Sequence, residues 1–236
     1  MKLSIIIPVF NEAKFLKKTI HKIFNVELNE RLTKEIIIID DYSSDNSWGV
    51  IKEITQENST FQIKVERHDF NKGKGAAIKT GLKYVTGELT IIQDADLEYD
   101  PNEYNLLLKP ILEGHADVVY GSRFVGGKPH RILFFWHSIG NSILTFISNM
   151  MTNLNLTDME TGLKLFKSQI LKSIKLEENR FGFEPEVTAK ISKINGIKIF
   201  EVGVSYYGRT YAEGKKINWK DGVHAFFCLI KYNVFR

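Results

Sequence analysis

Within Glu88–Pro101, ELTIIQDADLEYDP, a run of apolar strand formers ends abruptly in Asp94 and Asp96, with Glu98 and Asp100 close behind. Gathered carboxylates repel one another, and taking them out of water is costly unless something positive sits among them. Two readings fit the pattern: oxygen ligands around a metal ion, or a solvated turn. Asp94 and Asp96 are two apart in an extended segment, which lets both project to one side. Asp100 precedes Pro101, a pairing that starts the next helix. Comparable residues occur in PVFNE (Pro8–Glu12), DDYSSD (Asp40–Asp45) and GSRF (Gly121–Phe124). NKGKGAA, Asn71–Ala77, opens a helical pattern with two glycines and two lysines, a form suited to receiving phosphate. Each of these alone occurs by chance in many chains.

The elements that must position these residues alternate in type. Strands are predicted at Leu3–Val9, Glu35–Asp40, Ile63–Arg67, Leu89–Gln93, Asp117–Gly121 and Ile197–Ser205. Helical patterns lie between them at Glu12–Phe24, Asp45–Glu57, Lys74–Val85 and Pro101–Leu112. Ser43, Ser44 and Asp45 offer a cap for the second helix. The isoleucine runs lack a two-residue polarity alternation, as in parallel strands buried on both faces. The layout predicts an α/β fold with a mostly parallel sheet, where ligands bind beyond the carboxyl ends of the strands. The chemistry-bearing stretches fall at that edge.

The chain of 236 residues, 43% hydrophobic, suffices for one domain over 1–236, divided into a half at 1–121 and a half at 122–236. One cysteine, Cys228, excludes an internal disulfide and fits a reducing compartment. The start, MKLSIIIPVFNEA, is stopped by Pro8, Asn11 and Glu12 and reads as a strand rather than a signal peptide. No apolar run is long enough to span a bilayer, so a soluble or membrane-surface protein is expected. Residues 1–120 hold 15 Lys/Arg against 19 Asp/Glu, a net −4, while 121–236 hold 17 against 9, a net +8. The asymmetry fits two tasks, an acidic site and a basic one, or simple scatter of solvated charge.

Taken together, SIIIPVFNE, IIIIDDYSSD, NKGKGAAIKTG, DADLEYDP, VVYGSRF, DMETGLKLF and RTYAEGKK resemble the family 2 glycosyltransferases, especially their polyprenyl-phosphate (dolichyl-phosphate) branch. The resemblance runs from residue 4 to residue 216. It implies the GT-A fold, a Rossmann-like mostly parallel central sheet flanked by helices with a C-terminal acceptor-side extension. It also implies a Mg²⁺ or Mn²⁺ cofactor, with Asp96 as direct ligand and Asp94 on the donor sugar or ribose near the metal. Glu98, where relatives often carry Gln, completes the coordination. Pro8, Phe10 and Glu12 correspond to the base-and-ribose wall, and Asp41 to the carboxylate that accepts a base N–H. Asp158 matches an aspartate near the donor sugar, so Asp94, Asp96 and Asp158 are the expected catalytic set. Lys74 is placed at the diphosphate, whereas Lys72 fits that role or a solvated helix start equally. Tyr42 stands where glycine is common, either narrowing the pocket or pointing outward. Glu184 and Glu186 belong to the segment that forms the acceptor-side wall and either fits a role orienting the donor, although Pro185 points to Glu186 beginning a helix. Arg123, Arg131, Arg209, Lys215 and Lys216 are the basic groups assigned to an acceptor phosphate; arginine's planar fork gives Arg123 and Arg209 priority.

The stretch Ile132–Met151 places Ile132, Phe135, Trp136, Ile139, Ile143, Phe146, Ile147 and Met150 at helical spacing. Core packing explains such a stripe, but Leu133, Phe134, Leu144 and Met151 widen it, which makes contact with lipid a rival. His137 is read as a local hydrogen-bonding residue. The function implied is inverting transfer of a hexose, UDP-glucose being the expected donor, to a polyprenyl phosphate. A phosphate nucleophile is already anionic and needs positioning rather than a general base. No Q-x-x-R-W signature of processive synthases is present. Two alternatives remain: transfer to a saccharide or other hydroxyl, and a non-catalytic nucleotide-sugar-binding module. No nucleic-acid partner is expected, a homo-oligomer is left open, and the expected location is cytoplasmic, peripheral on the inner face of the cell membrane.

Overall fold

The computed structural model describes residues 1–29, 32–58, 61–132, 134–214, 216 and 219–235. In chain order these form β1 (Lys2–Val9), α1 (Ala13–Asn25), β2 (Thr33–Asp40), α2 (Ser47–Glu57), β3 (Gln62–Arg67), α3 (Lys74–Leu82) and β4 (Leu89–Ile92). Then follow α4 (Tyr104–Leu112), β5 (Val118–Ser122), α5 (Phe135–Thr152), β6 (Lys164–Lys167), α6 (Ser168–Ser173), α7 (Phe183–Ser192), β7 (Ile199–Gly203) and α8 (Trp219–Val234). The strands make one sheet in the order β3-β2-β1-β4-β6-β5-β7. Among the described strands only β6 runs against its neighbours, between β4 and β5.

The isoleucine runs divide between two layers. Ile5, Ile7, Ile36 and Ile38 pack with Leu16, Ile20 and Ile23 of α1 and with Ile51 and Ile54 of α2. Their alternates Ile6, Ile37 and Ile39 pack on the other face with Ala77 of α3 and with Val85. Both faces are therefore buried, and each fully buried isoleucine contributes about 1.5–3 kcal/mol. Helix α3 approaches the sheet closely because Gly81 has no side chain: a Cβ there would lie 2.7 Å from Ile6 Cγ2.

Each predicted strand is present, shifted by at most two residues at either end. The strand the sequence reading omits is β6. Four residues, KLFK, with a lysine at each end, carry too little pattern to declare a strand. Its burial comes from β4 and β5 on either side, and Lys164 within it is 1% exposed. Asp100 does start a helical turn at Pro101, its carboxylate accepting from the Asn102 N–H. At α2, Asp45 rather than Ser43 or Ser44 meets the first turn, accepting from the Ser47 N–H at 2.9 Å.

Three strands end in non-glycine residues of left-handed conformation. Asn11 (φ 50) follows β1, Tyr42 (φ 62) follows β2 and Leu97 (φ 62) follows β4. For Tyr42 and Leu97 this backbone costs about 1–2 kcal/mol each. Such outliers, collected at one edge of a sheet, point to a functional site there.

Candidate active site

Leu97 turns the chain sharply, so that the carboxylates of Asp94, Asp96 and Glu98 face one cavity of about 1110 Å³. Two cations clamp them from opposite sides. Lys74, at the start of α3, lies 2.9 Å from Asp94 and 3.0 Å from Glu184 of α7. Burial disfavours the Lys74 charge, but these two carboxylates outweigh burial and push its pKa up. Arg209 lies 3.0 Å from Asp96 and 3.4 Å from Glu98, and its two terminal nitrogens each donate to Glu12 at 3.0 Å. Glu98 also accepts from the Tyr206 hydroxyl at 2.7 Å and from the Arg209 backbone at 2.8 Å. Burial first, then the charges of Glu98 and Asp94, push the Asp96 carboxyl up to about 8 against the pull of Arg209. Asp94 is seated tightly: any Cβ on Gly162 would collide with its carboxylate.

Pro8, Phe10, Glu12 and Asp41 line the same cavity. Asp41 is 3% exposed and already well supplied with donors. One oxygen meets His68 Nδ1 at 2.7 Å and the Lys72 N–H at 2.8 Å; the other accepts from Asn71 Nδ2 at 2.8 Å and the Gly73 N–H at 2.7 Å. Asp41 thus folds the turn that presents Lys74. Gly73 is required there, with φ 100 and a virtual Cβ overlapping the Asn179 carbonyl. Tyr42 is not among the lining residues; it is half-exposed, with the Arg67 guanidinium 5.5 Å from its ring centre.

Asp158 is fully buried and does not line the cavity. Its carboxylate grips Arg123 bidentately, accepting from Nε and Nη2 at 2.6 Å each. Arg123 is thereby aimed at the cavity wall beside Phe124 and Tyr206. These three also border an adjoining cavity of about 370 Å³ that includes Arg131. Arg131 donates to the Gly208 carbonyl at 2.9 Å and pairs with Glu213 at 2.7 Å. Lys216 pairs with Glu12 at 2.5 Å, and Lys215 lies outside the described residues. Glu186 faces away from the cavity, accepting the Glu177 and Glu178 N–H groups at 2.7 and 2.8 Å. His137 lines the cavity wall from α5.

Glu160 was missed by the sequence reading, although it sits in DMETG. It lines the cavity, and burial together with the Glu184 charge pushes its carboxyl up to about 8. Among the described residues, one oxygen of Glu160 and one of Glu184 have no hydrogen-bonding partner. Tyr206 and Arg180 were missed as well; only proximity in the fold brings them to the cavity.

Helices α5 and α8, which both line the cavity, carry exposed aromatic side chains. Trp136 is 76% exposed, Phe146 67%, Trp219 75% and Phe227 60%. Among the described residues no helix is long and apolar enough to cross a membrane.

Residues 4–175 match the family model described as glycosyl transferase family 2. The UDP-N-acetylglucosamine–dolichyl-phosphate N-acetylglucosaminyltransferase of Methanococcus voltae is 29% identical, over 96% of this chain and 94% of its own length. The dolichol-phosphate mannosyltransferase of Pyrococcus furiosus is also 29% identical, over 92% of this chain but only 61% of its own length. Among solved structures, glucosyl-3-phosphoglycerate synthase from Mycobacterium tuberculosis, in complex with Mn²⁺, uridine diphosphate and phosphoglyceric acid, superposes with a TM-score of 0.74 at 16% identity. That superposition covers 100% of this chain and 79% of the synthase.

Proposed function

This chain belongs to glycosyl transferase family 2, and from that premise we propose that it moves a hexose from UDP-glucose to the phosphate of a polyprenyl carrier held at a membrane surface. It is a glycosyltransferase with the GT-A architecture. The observation that carries the proposal is the placement of a cation-clamped carboxylate cluster in a large cavity beside exposed aromatic helices. A nucleotide sugar needs the first feature, and a lipid phosphate needs the second. Both relatives are named for a dolichol or dolichyl phosphate, but for different sugars. UDP-glucose rests on the GKGAAIKTG segment and on the glucosyl synthase as a structural neighbour.

The donor set suits a hard divalent cation. Asp94, Asp96 and Glu98 offer only oxygen and crowd three carboxylates into one cavity, with Arg209 3.0 Å from Asp96 and Lys74 2.9 Å from Asp94 as the cations beside them, which supports a further cation there. These three residues would hold Mg²⁺ or Mn²⁺, which when bound shields the charge that grows on the departing diphosphate. The rest falls to the chain's own groups. Lys74 reaches the diphosphate from the α3 start, with Glu184 as its second anchor. Pro8 and Phe10 wall the nucleotide. The free oxygens of Glu160 and Glu184 accept from donor sugar hydroxyls. Arg123, fixed in direction by Asp158, and Arg131 orient the acceptor phosphate. Attack by its oxygen in line with the departing diphosphate inverts the anomeric carbon, and no proton has to be removed.

Purified protein should be incubated with Mn²⁺, a short polyprenyl phosphate and, in separate reactions, radiolabelled UDP-glucose, UDP-N-acetylglucosamine or GDP-mannose. Label from UDP-glucose is expected in an acid-labile product that partitions into organic solvent. Transfer only from another donor replaces the sugar assignment. Label entering only water-soluble products overturns the lipid acceptor.

A further inference from the structure

Away from the cavity floor, three side chains of metal-ligating type converge from two segments. Glu178 precedes α7, while His224 and Cys228 are four apart on one face of α8. One ligand atom from each lies within 4.8 Å of the other two. His224 Nε2 is 2.9 Å from Glu178 Oε2 and 3.5 Å from Cys228 Sγ. Tetrahedral zinc with bonds of about 2.0–2.3 Å places its nitrogen and sulfur ligands roughly 3.5 Å apart and its nitrogen and oxygen ligands roughly 3.4 Å apart. The sulfur–nitrogen spacing already matches, and the histidine needs to open from Glu178 by only about half an ångström.

The surroundings suit such a site. Glu178 Oε1 is held by Lys231 and the Tyr232 hydroxyl at 2.8 and 2.7 Å, which turns Oε2 toward His224. Outer contacts of this kind orient a ligating carboxylate. Gly182 closes the other side: a Cβ there would lie 2.7 Å from Cys228 Sγ. The sulfur is buried while the His224 side chain is 45% exposed, so a cation approaches from the histidine side.

We infer that Glu178, His224 and Cys228 form a binding site for a zinc-class divalent cation. The mixed nitrogen, sulfur and oxygen donors favour Zn²⁺ or Co²⁺ over Mg²⁺, which takes oxygen. Cys228 would bind as the thiolate, so loading releases the thiol proton to solvent. With the thiolate and Glu178 against Lys231, the ligand set carries one net negative charge toward the cation. Loading ties α8, which supplies Asp221, Gly222 and Ala225 to the cavity wall, to the segment whose Asn179 carbonyl accepts from Ala76 N–H at 2.9 Å. It therefore fastens the α8 wall to the turn carrying Lys74.

Metal-free full-length protein should be titrated with Co²⁺ without oxygen. Because Cys228 is the single cysteine, any sulfur-to-cobalt charge-transfer band in the near ultraviolet reports this site alone. One equivalent should produce that band together with intense tetrahedral visible bands, and Zn²⁺ should displace both. Cys228→Ser should abolish the charge-transfer band, and His224→Ala, at an exposed position that leaves folding intact, should weaken Co²⁺ binding at least tenfold. Asp96→Asn should leave the spectrum unchanged. A native circular dichroism spectrum with no charge-transfer band, or an undiminished band in His224→Ala, overturns the site and leaves a hydrogen-bonded cluster.

Discussion

Arg209 is the most heavily engaged cation of the candidate site, touching Glu12, Asp96 and Glu98 at once. Its guanidinium is largely buried, and removing one partner of a buried ionic group typically costs about 3–5 kcal/mol because charges are left uncompensated. Arg209→Ala is therefore expected to melt well below the wild type in chelator. Mn²⁺ should raise its melting temperature more than it raises that of the wild type, since the ion then supplies the missing charge. Equal shifts in scanning fluorimetry, with and without Mn²⁺, would argue against metal at Asp96. Asp41 gives a second residue-scale test. Asn in its place keeps the shape but turns an amide N–H₂ toward either the Lys72 or the Gly73 backbone donor, which sit on opposite carboxylate oxygens. Each bond to a charged acceptor is worth about 1.5–3 kcal/mol, so Asp41→Asn should lower stability in urea by about 2–3 kcal/mol. UDP affinity should fall with it, because the turn presenting Lys74 loosens. Calorimetry showing weakened UDP binding at unchanged stability would assign Asp41 to the base alone.

At the scale of elements, the amino ends of β1, β2 and β4 are joined by one buried carboxylate. Glu35 of β2 accepts from the Ser4 hydroxyl at 2.5 Å, from the Thr86 N–H and hydroxyl at 2.7 and 2.6 Å, and from the Gly87 N–H at 3.1 Å. Burial pushes its pKa up, but these hydrogen bonds outweigh burial and hold it below the ordinary value. A depressed carboxylate stabilises the fold at pH values above its unfolded pKa, and that contribution is lost as pH falls through the folded value. Glu35→Gln should be less stable than the wild type at pH 7, and the gap should close as acid is added below about pH 4. Parallel denaturation curves at pH 7 and pH 3 with the same gap would refute this role. The same elements show how far pattern reading reaches. β1, β2 and β4 announce themselves by apolar runs long enough to be strands in any setting. β6 does not, because its strand identity is conferred by the neighbours that hydrogen-bond to it on both sides.

For the whole molecule, the proposed lipid acceptor ties the reaction to a membrane surface, and the exposed aromatic side chains of α5 and α8 are the part of the chain that would meet it. An aromatic side chain gains on the order of 1.5–3 kcal/mol when fully buried away from water, of which a bilayer interface recovers a part, and anionic lipid adds attraction to basic residues. Flotation with liposomes rich in anionic lipid should recover the wild type, less so at high salt. Phe146→Glu with Phe227→Glu should weaken recovery at least tenfold while leaving UDP binding intact. Flotation of the double variant equal to that of the wild type would remove this face from the membrane.

The sequence by itself determined the alternating architecture and the edge at which chemistry collects, because apolar periodicity and strand-end motifs are local signals. It also marked Asp94, Asp96, Glu98, Asp41 and Lys74, whose neighbours along the chain carry the pattern. The sequence could not reveal which charges pair. Arg209 meets Glu12 across 197 positions and Arg123 meets Asp158 across 35, so both arginines, expected to face an acceptor phosphate, are found bound to carboxylates. Partner choice depends on which side chains the packed sheet brings within hydrogen-bonding distance. That is a property of the tertiary structure, as is the meeting of Glu178 with His224 and Cys228.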